Sequence, residues 1–265
     1  MSNIREYDFC MSLGGSCSAA MQMKQRGLRL AAMPLDWVHG RDSARYVKSI
    51  IDFIGNGFDG WCDFDGLVPM PADMDTPKAT DPLEVRAFDE AHDIGFYHDF
   101  RYNIFGAGGR EYHNGILERY RRRIDRMYNA VRRAKSVFAV VVNAQGALPS
   151  SEMLRLRDCL ESIHPGTEFT LVAMNYGAGE CRDEGDVGSR LLVRNIGRGQ
   201  HPYDFVKTSW EWDFLDGVKL SGRIAPDKEA KRNATSGMSL WYRLHRKLYM
   251  HCKKVIERTN ARPVK

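Results

Sequence analysis

The sequence predicts an α/β domain with three layers, a mostly parallel sheet flanked by helices. Three observations predict it. First, Tyr7, Phe9, Cys10, Met11 and Leu13 form an apolar run that stops at Gly14-Gly15, and a helical pattern then runs from Ser16 to Gly27. Second, Val137–Asn143 and Phe169–Met174 are continuous apolar runs rich in β-branched residues, as strands buried on both faces are. Third, Pro149-Ser150 opens a stretch between those runs with Met153, Leu154, Leu156, Leu160 and Ile163 on one stripe, closed by Pro165-Gly166. Two such strands around such a helix form a parallel pair joined by a right-handed crossover.

The remaining elements follow in order. Leu28–Ala32 reads as a second short strand, and Pro34-Leu35-Asp36-Trp37 as a structured loop. Asp42 or Ser43 caps a helix to about Ile54, which Gly55 and Gly57 end. Residues 56–95 are rich in Gly, Asp and Pro and lack periodicity, an irregular excursion of the kind that serves as a lid or binding loop. Gly95–Phe105 reads as an aromatic edge strand. Asn114–Lys135 is a helix with Ile116, Leu117, Tyr120, Ile124, Met127, Tyr128 and Val131 on one face and a run of arginines on the other. Leu191–Ile196 is a further strand, the stretch from His201 to Asp216 is irregular, and Ser239–Arg258 is an amphipathic basic helix. The expected organisation is a single α/β domain over 1–235 with a basic C-terminal helix in 236–265 packed on it.

Composition narrows the class. The 265 residues are 43% hydrophobic and 28% charged, ordinary for a soluble domain. No apolar run reaches the length of a membrane span, and the N-terminal residues lack the apolar core of a signal peptide. Six scattered cysteines without a CxxC pair argue against a zinc ribbon and a disulfide framework. The expectation is a cytoplasmic protein with no metal and no cofactor. From Lys228 onward there are 11 Lys/Arg and 2 Glu, a local +9, so the rest of the chain carries −4 of the total +5. That tail could touch an anionic surface such as a membrane periphery. No strong nucleic-acid signal is present.

Chemistry concentrates at Cys17. A thiol in the first turn of a helix, just past a strand, meets converging N–H groups and the positive end of the helix dipole. Such a position can lower its pKa and make it a nucleophile, or the same loop can cradle a phosphate. Thiol catalysis also needs a base, a group that orients the base, and donors for the oxyanion. The loop residues Gly15, Ser16 and Ser18 are candidates for the donors. Of the eight histidines, His98 is flanked by Tyr97, Asp99 and Phe100, which suggests the partial burial that tunes an imidazole. Asp36 is the candidate third member and Asp99 a secondary one. Trp37 reads as a core or pocket wall. Arg122 and Arg123 are kept as anion-binding or buried ion-pair candidates.

These residues carry a resemblance. SLGGSC, GLRLAAMPLDW, FYHDF and RYRRRIDR, in that order, resemble a bacterial family labelled papain-like cysteine peptidases. Its pattern is an S-L-G-x-x-C start, a P-F/L-D-W element, a later H-D-F and a Y-x-R-R-I helix. The matching residues are Ser12, Leu13, Gly14 and Cys17; Pro34, Leu35, Asp36 and Trp37; His98, Asp99 and Phe100; and Tyr120, Arg122, Arg123 and Ile124. The resemblance implies a cysteine nucleophile at Cys17 with His98 as base. The βαβ winding and the strand before the cysteine are closer to a Rossmann-like or SGNH-like layout than to papain. GSCFA-type relatives of the SGNH fold also begin with a Gly-Ser-Cys loop, as Gly15-Ser16-Cys17 does here, and in that arrangement His201 is the competing base.

The expected function is a cysteine-dependent hydrolase or acyl-transfer enzyme acting on a small-molecule, peptide or glycan substrate. Two other functions stay open. One is a nucleotide- or phosphosugar-binding transferase that uses the SLGGSC loop as an anion site. The other is a non-catalytic binding module with a basic tail.

Overall fold

In the computed structural model the chain begins with two short strands, β1 (Arg5–Tyr7) and β2 (Phe9–Ser12), then helix α1 (Cys17–Gln25). Strand β3 (Val38–His39) and helix α2 (Ser43–Gly55) follow, then β4 (Leu67–Pro69), β5 (Ala87–Asp89) and β6 (Ile94–Phe96). Helix α3 (Gly109–Arg133) leads to β7 (Ser136–Asn143), α4 (Ser150–Ile163), β8 (Glu168–Ala178), β9 (Arg182–Asp186), β10 (Leu191–Gly197) and β11 (Val218–Leu220). The structure describes residues 4–70, 86–100, 104–106, 108–178, 180–197 and 210–226.

The main sheet has the order β2-β7-β8-β10-β9, with the first four strands parallel and β9 antiparallel at the edge. The expected parallel pair is β7 and β8, in register from Ser136↔Glu168 to Asn143↔Asn175. Strand alternation sorts its side chains. Phe9, Met11, Val137, Ala139, Val141, Leu171 and Ala173 pack with α2, α3 and α4. Cys10, Phe138, Val140, Val142, Val172 and Met174 pack with Ala19 and Met23 of α1 and with Trp212 and Leu215. Both faces are apolar, which is why these strands read as unbroken hydrophobic runs rather than alternating ones.

Helix boundaries obey their caps. The Asp42 side chain accepts the Arg45 N–H at 2.8 Å and starts α2. Gly27, at φ +71°, follows the end of α1.

Three expectations are corrected. Leu28–Ala32 is irregular, and the strand comes later, at β3. The 56–95 excursion contains part of a second sheet, antiparallel in the order β3-β6-β5-β4. Its strands are two or three residues long, too short for a period-2 signal to stand out. Within it β6 is central rather than an edge strand, pairing with both β3 and β5. The compact unit holding the described residues ends at Pro226. The helix expected over Ser239–Arg258 and the whole 236–265 tail lie outside the described residues, as does His201.

Candidate functional site

The loop after β2 is held against the neighbouring strand. Leu13 N–H donates to the Val140 carbonyl at 2.7 Å, and Val142 N–H donates to the Gly14 carbonyl at 3.0 Å. Only glycine suits the next two positions. Gly14 and Gly15 have φ of +79° and +78°, and a Cβ on Gly15 would overlap the Val142 carbonyl. Tyr46 of α2 fastens the loop from the other side, its hydroxyl donating to the Leu13 carbonyl at 2.8 Å. Ser16 then caps α1, with its Oγ accepting the Ser18 N–H at 3.2 Å and the Ser18 hydroxyl at 3.0 Å.

Cys17 is therefore the first helical residue, at the carboxyl end of β2. Its side chain is buried, with 5% exposure. Burial pushes the thiol up to about 11, although its own backbone N–H and the Ser16 hydroxyl pull the other way. This corrects the expectation of a lowered pKa: desolvation of a thiolate outweighs the helix terminus here. Two of the expected oxyanion donors are occupied. Ser18 N–H serves the Ser16 cap, and Gly15 N–H donates to the Val38 carbonyl at 3.0 Å. The N–H groups at Ser16 and Cys17 precede the first intrahelical bond of α1.

The Gly15–Val38 bond ties the cysteine loop to the Pro34–Trp37 turn. Inside that turn Asp36 is buried, and its Oδ2 accepts from Arg29 Nε at 2.9 Å, Arg29 Nη2 at 2.6 Å and the Met33 N–H at 2.8 Å. Burial raises this carboxyl against the opposing pull of Arg29. Asp36 thus organises the turn through Arg29, and an imidazole is not among its described hydrogen-bond partners. The Arg29 guanidinium lies 5.4 Å from the centre of the half-buried Trp37 ring. The His98 ring meets the same Trp37 edge-to-face at 5.8 Å.

His98 is exposed, which corrects the expected partial burial: the aromatic neighbours Phe96, Tyr97 and Phe100 turn inward and leave it at the surface. Asp99 is buried and turns the other way. It accepts from the Tyr120 hydroxyl at 2.6 Å and from Arg123 Nη1 at 3.1 Å. Arg119 Nη1 lies 3.8 Å from the same carboxylate. Arg123 also feels the charge of Asp36, so the two buried carboxylates and their arginines form one network. The ion-pair role held open for Arg122 or Arg123 belongs to Arg123, while Arg122 is exposed on the same helix.

Sequence reasoning missed three participants. His39 directly follows Val38 and is buried, with its ring 4.4 Å from that of Tyr97. Burial, with His98 and Arg86 adding to it, pushes His39 down to about 3, so it is neutral. Arg29 and Arg119 are the other two. Arg119 and Arg123 stand four apart on α3, a same-face spacing that could have drawn attention to the pair; nothing local marks Arg29. Among the described residues no group of three or more His, Cys, Asp or Glu side chains is gathered to hold a metal ion. No described helix is long and apolar enough to cross a membrane.

A buried, capped cysteine at the head of a helix, on the carboxyl edge of a parallel strand, defines a thiol-bearing α/β protein. Comparison with known proteins takes this further: the chain belongs to the family described as "Putative papain-like cysteine peptidase", whose pattern matches residues 8–179. It is also similar to the "Uncharacterized protein R408" of Acanthamoeba polyphaga mimivirus, 29% identical over 125 residues, which is 44% of this chain and 54% of the relative. The chain thus matches about half the length of that curated relative. No solved structure matches it.

Proposed function

We propose that the protein is a cysteine-dependent hydrolase or acyl-transfer enzyme with Cys17 as its nucleophile. One observation carries the reading. The Gly15–Val38 bond joins the loop that presents Cys17 to the segment bearing Trp37, and Trp37 contacts His98. Family membership over 8–179 supports the same chemistry. The scaffold reads as a three-layer α/β sandwich wound like SGNH hydrolases, supported by α1 packing on one sheet face and α2, α3 and α4 on the other. In such sheets the carboxyl edge, where Cys17 lies, is the usual place for a ligand.

A thiol near 11 is almost wholly protonated at neutral pH, so attack needs a base rather than a preformed thiolate. His98 takes the proton as the Cys17 sulfur bonds to the substrate carbonyl carbon. The carbonyl π pair moves onto oxygen, and the N–H groups of Ser16 and Cys17 receive that oxyanion. Collapse of the oxyanion breaks the bond to the leaving group, which takes the proton from His98. A thioester on Cys17 remains for water, or a second acceptor, to cleave. His39, held neutral near 3, is too weak a base for this.

A panel of activated esters, thioesters and peptide amides tests the reading. Cys17→Ala should abolish turnover of whichever substrate the wild type accepts. His98→Ala should lower kcat by about 10²- to 10⁴-fold, the usual reach of general-base catalysis. Undiminished turnover by Cys17→Ala would remove the mechanism.

A further inference from the structure

Among the described residues, the network around Asp36 and Asp99 has more positive charge than its carboxylates balance. Arg29, Arg119 and Arg123 face Asp36 and Asp99, three guanidiniums against two acids. Both acids are at most 2% exposed and already bonded, and Arg29 and Arg123 are largely covered, at 14% and 12% exposure. Arg119 differs. It is 38% exposed, and its 3.8 Å approach to Asp99 is too long for a hydrogen bond. A guanidinium carries five N–H donors in a fixed fork that suits carboxylate and phosphoryl oxygens. Desolvated surroundings strengthen such a charge, and here Trp37 supplies an apolar wall under Arg29. This wall belongs to the turn that the Gly15–Val38 bond joins to the cysteine loop.

We propose that Arg119, backed by Arg29 and Arg123, forms an anion subsite for the substrate of Cys17, which therefore carries a carboxylate or phosphoryl group near its reacting carbonyl. This rests on the reading of Cys17 as a nucleophile for its catalytic meaning, but anion binding itself does not need the thiol. The outward arginine can take such a group while its two covered neighbours hold the positive field in place, since their own carboxylates are already bonded.

The test uses the full-length Cys17→Ala protein, titrated calorimetrically with inorganic phosphate and with acetate at constant ionic strength. Saturable binding of at least one anion is expected. Tighter phosphate would assign a phosphoryl group to the substrate, and tighter acetate a carboxylate. Adding Arg119→Gln should weaken binding about tenfold, as loss of a charge-assisted hydrogen bond does. Arg119→Lys should retain most of it, because the charge persists. Arg122→Gln, one turn-neighbour away and exposed, should bind like the parent. No binding of either anion would overturn the subsite. So would equal affinity with and without Arg119→Gln in folded protein, or equal weakening by Arg122→Gln, which would mean a diffuse charge effect. If the subsite binds its anion while wild-type Cys17 fails to turn over any acyl substrate, the nucleophile reading falls alone.

Discussion

At the scale of single residues, two buried titratable groups set the pH behaviour of the site. The Cys17 thiol stands at about 11 because a thiolate there would be stripped of water. Alkylation of Cys17 by iodoacetamide, followed by peptide mass spectrometry, should be slow at pH 7 and rise about tenfold per pH unit through pH 10, since the thiolate fraction rises that way. A plateau below pH 8 would show a lowered thiol instead. His39 works in the opposite sense. Its folded value, about 3, lies below the ordinary 6.5, so its contribution to stability is present above pH 6.5 and is lost as pH falls toward 3. Between pH 6.5 and 4 that loss should reach about 3 kcal/mol. Urea unfolding across this range should show a shallower acid decline for His39→Phe, which keeps a ring against Tyr97 but cannot take a proton. Identical slopes would contradict the assignment. None of this was legible in the residues themselves: a histidine or cysteine in sequence shows its chemistry but not how deeply the fold will bury it.

At the scale of elements, the strand–loop–helix around Cys17 was the most legible part. Its signals are local: an apolar run, two glycines, a serine cap and a glycine after the helix. Gly15→Ala should cost about 2 kcal/mol or more, because the left-handed backbone penalty adds to the overlap with the Val142 carbonyl. A chemical denaturation midpoint unchanged from wild type would sink that expectation. The Asp36 and Asp99 roles were not legible. Both sit in short motifs beside candidate catalytic residues, yet their partners are Arg29, seven residues before Asp36, and Tyr120 and Arg123 on a distant helix. Removing one partner of a buried pair leaves an uncompensated charge. Arg123→Met should therefore destabilise by about 3–5 kcal/mol, read from the same denaturation curves, and pairing it with Asp99→Asn should recover part of the loss.

At the scale of the whole molecule, the parallel pairing of β7 with β8 could be read ahead because both are continuous apolar runs buried on both faces, whereas the strand order and the antiparallel β9 could not. The second sheet could not, since β3–β6 are short, and β3 and β4 pair with strands far along the chain in a way no local pattern records. The chain closes on itself through β1 and β11, which pair in parallel from Arg5↔Val218 to Tyr7↔Leu220, and Ile224 still belongs to the core. A protein ending at Pro226 should therefore keep the far-UV circular dichroism of the body and a cooperative unfolding transition, and loss of both would show that 227–265 is needed to complete the fold. The most direct measurement of all is the intact mass of the protein quenched during reaction with an accepted activated ester or thioester. A single acyl adduct mapped to Cys17, accumulating in the wild type and missing in Cys17→Ala, is the expected result; turnover with no adduct at Cys17, or an adduct that persists in Cys17→Ala, would contradict it.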